Sequence, residues 1–289
     1  KIVLGNVAPH VGPDTIFSSN TSGLSLAEMS AVLPEEMRPR FLGTHFFNPP
    51  RYMKLFEVIP TADTDPELLE FVCDFARERL GKGIVLAKDT PNFIANRVGV
   101  HAMMAVIQIM GEMDLTIEEI DAMTGPAIGR PKTATFKLAD LVGLDTFLHV
   151  ADNIYPLIPD DEARETFVVP DVVRQMVAKG LLGRKSGAGF YKMTKTAEGK
   201  KVLTLDLETL EFREKQSAKL GEIAAAKAIE DLPQRLKTLA FGKGKAGQAI
   251  WKMLSATFSY SAMRLGEICD QAADIDLAVC WGFNWDLGP

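Results

Sequence analysis

The hydrophobic pattern changes character about a third of the way along the chain. Up to residue 88, short apolar runs of strand length alternate with stretches of helical spacing. Ile2, Val3, Val7 and Val11 recur at helical intervals as far as Gly12-Pro13 and predict an amphipathic opening helix. Thr15-Ile16-Phe17-Ser18 reads as a buried strand that ends in the polar turn Ser19-Asn20-Thr21-Ser22-Gly23. Ser25 with Glu28 is a capping box for a short helix to about Leu33. Strands follow over Phe41 to Phe47 and Leu55 to Ile59, separated by Asn48-Pro49-Pro50. Asp65-Pro66 starts a helix whose Leu68, Leu69, Val72, Phe75, Ala76 and Leu80 form one apolar face, closed by Gly81. Ile84-Val85-Leu86 is the last strand. Such alternation predicts part of an α/β sheet.

After Asp89-Thr90-Pro91 the strand signal drops out. A long helix is predicted from about Asn92 to Met110, and Thr116 with Glu119 caps the next. Further helices are expected at 134–142, 144–156 and 171–179, then at 216–230, 233–240 and 246–269. Val202 to Leu205 and Glu211 to Arg213 read as a hairpin in a charged segment. Ile275-Asp276 follows the last long helix as Ile120-Asp121 follows the first, which predicts a second, shortened copy of the helical unit. The expected divisions are 1–88, 89–192 and 193–289, with the chain beginning and ending partway through a unit.

Composition narrows the classes. A net charge of -6 weighs against a nucleic-acid face, and 47% hydrophobic with 24% charged residues is ordinary for a water-soluble fold. Cys73, Cys269 and Cys280 are far apart, with neither metal spacing nor a disulfide framework, so a reducing cytoplasm is the expected home. The longest uncharged apolar run, Val98 to Met110, is too short to span a bilayer.

Among four histidines, His45 stands out. It ends an apolar strand, Asn48 follows it, and Glu57 comes twelve residues later in a second strand. Two neighbouring strands would let that carboxylate orient the ring, a common device for moving a proton near neutral pH. A core histidine with an acid nearby is the other reading of that stretch. His101 is expected to be buried within its helix, whereas His10 and His149 have no neighbouring signature. Ser19 to Gly23 is either a polar turn or a ligand contact at a strand end. Asn96 points either into a cleft or to solvent, and Arg97 is expected on a solvated face. Gly183 to Tyr191, with Arg184 and Lys185, reads equally as an anion-binding loop or a flexible linker. Gly242-Lys243-Gly244-Lys245-Ala246-Gly247 fits a dinucleotide fingerprint formally, but helix rather than strand precedes it, so a helix-to-helix loop is the expectation.

Taken together, Ser19-Asn20-Thr21-Ser22, Gly43 to Pro49, Lys54 to Ile59, Lys88 to Arg97, Ala139 to Asp145 and Gly183 to Tyr191 resemble the 3-hydroxyacyl-CoA dehydrogenase family, over about residues 1 to 192. The ending Trp281-Gly282-Phe283-Asn284-Trp285-Asp286-Leu287-Gly288-Pro289 resembles members with a duplicated C-terminal domain, some fused to an enoyl-CoA hydratase. The resemblance implies an α/β plus all-α architecture. Residues 1–88 would be the C-terminal part of a Rossmann-type NAD-binding domain, and 89–192 an all-helical domain like that of 6-phosphogluconate dehydrogenase. Residues 193–289 would be a hairpin and a truncated helical repeat. It implies NAD-dependent oxidation of L-3-hydroxyacyl-CoA to 3-oxoacyl-CoA in fatty-acid β-oxidation, with an acyl-CoA substrate and a homodimer. His45 would be the general acid–base, Glu57 its orienting partner, and Ser22 a neighbour of the hydroxyl and the nicotinamide ribose. Asn48 would contact the cofactor, Asn96 would reach the substrate from the helical domain, and Lys185 would approach the cofactor. Asn92 departs from the family's usual Gly or Ala, and His101-Ala102 from its usual proline break. The family's glycine-rich NAD loop would lie upstream of residue 1. Two rival expectations remain: a catalytically incomplete helical dimerisation and substrate-clamping module, or a related hydroxy-acid dehydrogenase.

Overall fold

Strand pairing sets the frame around His45. The computed structural model describes residues 1–196 and 199–289. The chain opens with α1 (Ile2–Val7), β1 (Phe17–Ser19), α2 (Leu26–Ser30), β2 (Phe41–Phe46), β3 (Leu55–Pro60), α3 (Pro66–Glu78) and β4 (Gly83–Leu86). The four strands form one sheet in the order β1-β2-β3-β4. β1 and β2 are parallel, as are β3 and β4, because a helix carries the chain back between them. β2 and β3 are antiparallel, joined only by the short proline-containing segment after Phe46. Phe41, Leu42, Leu55, Phe56, Val58 and Ile59 are all buried, so this pair is covered on both faces. A polar side chain on such strands must find its partner inside the protein.

The long helix α4 (Ala95–Glu112) follows, then α5 (Ile117–Met123), α6 (Phe136–Val142), α7 (Leu144–Ile154) and α8 (Asp171–Ala178). β5 (Tyr191–Thr196), β6 (Gly199–Leu205) and β7 (Phe212–Glu214) make an antiparallel meander, one strand more than the expected hairpin. The chain ends with α9 (Gly221–Ala226), α10 (Leu232–Ala240), α11 (Lys245–Arg264) and α12 (Ala272–Phe283).

Lys1–Gly99 and Ser261–Pro289 form one compact unit, and Val100–Tyr260 the other. Packing thus groups the chain differently from the expected 1–88, 89–192 and 193–289, and the helical unit includes the meander. The end of the chain, expected within a shortened helical copy, returns to the sheet. The cause is apolar burial. Ile275, Ala278 and Val279 of α12 join the core beneath the sheet, while the Trp281 ring fills the space over Gly83 and the Phe283 ring the space over Gly99. Lys88 N donates to Ile268 O at 2.9 Å, and Lys54 Nζ lies 4.4 Å from the centre of the Trp281 ring. In the second unit, Ile117, Ile120 and Met123 pack with Phe136, Met176, Phe190, Ile250 and Met253.

Several element ends differ from expectation. α4 starts at Ala95 because Asn92 and Phe93 are left-handed, with φ of 63° and 51°. α11 stops at Arg264, two residues before left-handed Gly266, and α9 is much shorter than 216–230. On α1, Ile2 and Val3 face outward, and Phe75 of α3 and Leu80 just past its end are about half exposed instead of completing the core face.

Candidate active site

The register of β2 on β3 sets His45 directly opposite Glu57. Both are buried, and His45 Nδ1 lies 2.6 Å from Glu57 Oε2. The other carboxylate oxygen, Oε1, accepts from Ile94 N at 3.2 Å and Ala95 N at 2.9 Å. Those amides open α4, where unpaired N–H groups and the helix dipole favour negative charge. With the carboxylate so held, Nδ1 carries the proton and donates to Oε2, which leaves Nε2 as the basic nitrogen. Nε2 faces Ser22 Oγ at 3.1 Å, and the hydroxyl donates to it. The rings of Phe47 and Phe93 wall the imidazole, with centroids 4.8 and 5.5 Å away. The result is a dry ring with one working nitrogen beside an exposed hydroxyl. Such a ring can take a proton and return it.

The segment after β4 builds much of this. Asp89 accepts from Leu26 N and Ala27 N at 2.9 and 2.8 Å, tying it to the start of α2. Asn92 and Phe93 then turn the chain through two successive left-handed residues. A phenylalanine in that region costs about 1–2 kcal/mol. Full burial of Phe93 against His45 holds it there, and the turn aims the next two amides at Glu57.

The other expected residues are distributed as follows. Asn48 is exposed in the turn after β2, in a cis peptide with Pro49. Asn96 is half-buried in the first turn of α4 and packs in the same compact unit as His45. Arg97, expected in solvent, is fully buried. Its Nη2 pairs with Glu267 Oε1 at 3.2 Å, and Arg264 reaches the other oxygen of Glu267 at 2.7 Å. His101 is buried as expected, its ring stacked on Tyr260 with centroids 3.7 Å apart.

Lys185 lies in the second unit, where Nζ pairs with Asp145 Oδ1 at 2.5 Å and holds the Asp145 carboxyl below its ordinary range. Its loop is a clasp, which sets aside the flexible-linker reading of that stretch. Asp140 Oδ1 accepts from Phe190 N at 2.8 Å, Oδ2 from Tyr191 N at 2.9 Å, and Gly189 packs so close to Asp140 that a Cβ would not fit. Burial drives the Asp140 carboxyl up to about 6, against the pull of those two amides. The 242–247 segment joins α10 to α11 as expected, with 242–244 in the connecting loop and 245–247 in the first turn of α11. Gly244, Ala246 and Gly247 donate their amides to Glu222, so the groups a phosphate would need are already used.

Phe47, Phe93 and the Ile94 and Ala95 amides were not foreseen as parts of the site. The aromatic residues flanking His45 and following Asp89-Thr90-Pro91 were a readable signal; backbone amides leave none. Among the described residues no His, Cys, Asp or Glu cluster could hold a metal, and no helix is long and apolar enough to cross a membrane.

Two family models match the chain. That of the 3-hydroxyacyl-CoA dehydrogenase NAD-binding domain covers residues 1–90, and that of the C-terminal domain of the same family covers 93–193. A probable 3-hydroxyacyl-CoA dehydrogenase of Bacillus subtilis is 45% identical over 289 residues, all of this chain and 36% of that protein. The mitochondrial hydroxyacyl-coenzyme A dehydrogenase of Sus scrofa is 37% identical over 178 residues, 62% of this chain and 54% of that one. The crystal structure of (S)-3-hydroxybutyryl-CoA dehydrogenase from Ralstonia eutropha is similar at a TM-score of 0.58, with 33% identity over 65% of this chain and 64% of that one. The chain spans between a third and just over half of the curated relatives named here.

NAD is the cofactor of this family, and polar residues at the carboxyl ends of β1 and β2 lie where such a ligand is held in an α/β sheet. The loops leaving these parallel strands are tied by Asn20 Oδ1, which accepts from Phe46 N at 2.9 Å. They expose the Ser22 hydroxyl and the Asn48 amide where an α/β sheet binds its ligands. With both domain models matched in order and across two thirds of its length, the chain belongs to the 3-hydroxyacyl-CoA dehydrogenase family.

Proposed function

We propose that this chain carries the acid–base machinery for NAD-dependent oxidation of L-3-hydroxyacyl-CoA thioesters to 3-oxoacyl-CoA, a step of fatty-acid β-oxidation. The observation that carries the reading is the line from Ser22 Oγ through His45 Nε2 and Nδ1 to Glu57 Oε2, with separations of 3.1 and 2.6 Å. In the oxidative direction, His45 Nε2 takes the proton of the 3-hydroxyl as the C3 hydrogen leaves as hydride. In the reductive direction the same nitrogen returns it to the 3-oxygen. Glu57 holds Nδ1–H and stabilises the imidazolium that forms. Ser22, whose hydroxyl already lies at Nε2, turns to donate to the substrate oxygen. Phe47 and Phe93 exclude water from the ring. NAD, when bound, supplies the hydride acceptor; Ser22 and Asn48 would hold its nicotinamide end, with Lys185 a further cofactor contact and Asn96 a substrate contact by resemblance. A homodimer and a fused or associated enoyl-CoA hydratase belong to the same reading.

The test is His45→Gln in the full-length protein, followed by NADH-dependent reduction of acetoacetyl-CoA. The expected outcome is a fall in kcat of about 10²–10⁴-fold. Turnover at the wild-type rate would remove His45 from the mechanism. Activity on free hydroxy acids in preference to CoA thioesters would instead point to a different dehydrogenase reaction.

A further inference from the structure

Asn92 takes no part in the chemistry above, yet it lies against the loop that carries Ser22. It is 7% exposed, its backbone is left-handed, and its Nδ2 is buried with no hydrogen-bond partner among the described residues. Its Oδ1 and N crowd Gly23 so closely that a Cβ there would come within 2.5 and 2.6 Å of them. Gly23 follows Ser22, whose hydroxyl meets His45 Nε2, and Phe93, which follows Asn92, packs its ring on His45. Asn92 therefore lies against the neighbour of Ser22 and directly before Phe93, the two residues that meet His45 on either side. Glycine would meet the left-handed backbone without a buried polar group. An amide donor buried without an acceptor is unfavourable and calls for a partner that arrives with the ligand.

We propose that Asn92 is a substrate-positioning residue whose Nδ2 donates to the thioester carbonyl oxygen of the acyl-CoA. The inference rests on the function proposed above. In a 3-oxoacyl thioester the two carbonyl carbons are separated by a single methylene. A substrate with its C3 oxygen at Ser22 and His45 therefore offers a second acceptor a short distance away, on the side where Gly23 and Asn92 meet. Entry of the substrate displaces the Ser22 hydroxyl from Nε2. Gly23, at φ 150°, lets the Ser22-Gly23 segment move aside and open Nδ2 to the incoming oxygen. The contact selects a β-related carbonyl pair over a lone ketone, because only the former fills both positions.

Two variants of the full-length protein separate this from a backbone role. Asn92→Asp keeps the size and the tolerance for a left-handed backbone but removes the donor; Asn92→Gly keeps the backbone and removes the side chain. In both, KM for acetoacetyl-CoA is expected to rise about tenfold, while KM for NADH stays within about twofold of wild type and the thermal midpoint is nearly unchanged. Wild-type KM for acetoacetyl-CoA in either variant, or an equal rise for both substrates, would overturn the proposal. Calorimetric binding of acetoacetyl-CoA in a His45→Gln background reads the contact without turnover. There, adding Asn92→Asp should weaken Kd by the same factor, and an unchanged Kd overturns the contact. Retained turnover in His45→Gln alone breaks the functional reading instead.

Discussion

Glu57 in the sheet unit and Asp140 in the helical unit each hold two consecutive backbone amides, Ile94 and Ala95 in one case, Phe190 and Tyr191 in the other. Both carboxylates are buried. The difference lies in how the oxygens are shared. At Glu57 both amides converge on Oε1, so Oε2 remains for His45. Asp140 gives one oxygen to each amide and keeps neither for a titratable partner. It also lies near Asp121, whose charge adds to the burial that raises it. One carboxylate thus orients a histidine ring, while the other stays a staple for a loop. The kind of residue and its burial do not separate the two; the direction from which the amides arrive does.

The sharpest way to break this comparison is to convert each acid to its amide. In Glu57→Gln the new NH₂ donates to Nδ1, forces the proton onto Nε2 and blocks it as a base. A fall in kcat of about 10²–10⁴-fold is expected, with little change in urea unfolding; full activity would show that the carboxylate does not orient the ring. In Asp140→Asn the new NH₂ meets one of two N–H donors and leaves it unpaired. The expected result is a loss of about 1–3 kcal/mol in urea unfolding, and an unchanged midpoint would contradict the clasp.

A third prediction uses pH. The folded value of Asp140, about 6, lies above its ordinary 3.8, so the folded protein holds this proton more tightly. Stability from this group therefore falls as pH rises from about 4 to about 6. Glu118 behaves oppositely. Burial pushes it up, but the two-pronged bond from Arg213 and the Gln216 amide bring it down from 4.5 to about 2. Its contribution is present above pH 4.5 and lost as pH drops towards 2. Each window is worth at most about 3 kcal/mol, less where solvent screens the group. Comparing wild type with Asp140→Asn and with Glu118→Gln across pH 3–7 should show slopes of opposite sign, and slopes of equal sign would refute the assignment. The smallest effect is expected at Lys185→Ala. Its exposed pair with Asp145 is worth less than about 1 kcal/mol, so the fold should barely respond. A raised KM for NADH would support the cofactor contact, and an unchanged one would remove it.

Much of the site was legible because its geometry follows from strand spacing. His45 and Glu57, twelve residues apart on strands joined by a proline turn, had to become neighbours, and the Ser22 turn had to lie at a strand end. The rest was hidden for physical reasons. Ile94 and Ala95 act through backbone groups that every residue has. Arg97 looked like a helix surface residue, but its burial depends on Glu267, 170 residues away in sequence. The return of α12 to the sheet was masked because its apolar pattern suits a helical core equally well. Phe75 on α3 and Leu80 just past it kept the expected period, yet nothing among the described residues buries them fully.

The return of Ser261–Pro289 to the sheet has a consequence for synthesis. The strands bearing His45 and Glu57 emerge from the ribosome before the other unit, and their cover of Trp281, Phe283 and the rest of α12 is made only after the roughly 160 residues of that unit. At about 5–20 residues per second, the nascent sheet stands bare on that side for roughly ten to thirty seconds. The His45–Glu57 pair is thus made well before its sheet is sealed, and a nascent-chain chaperone would find its apolar target there, along the uncovered faces of β3 and β4.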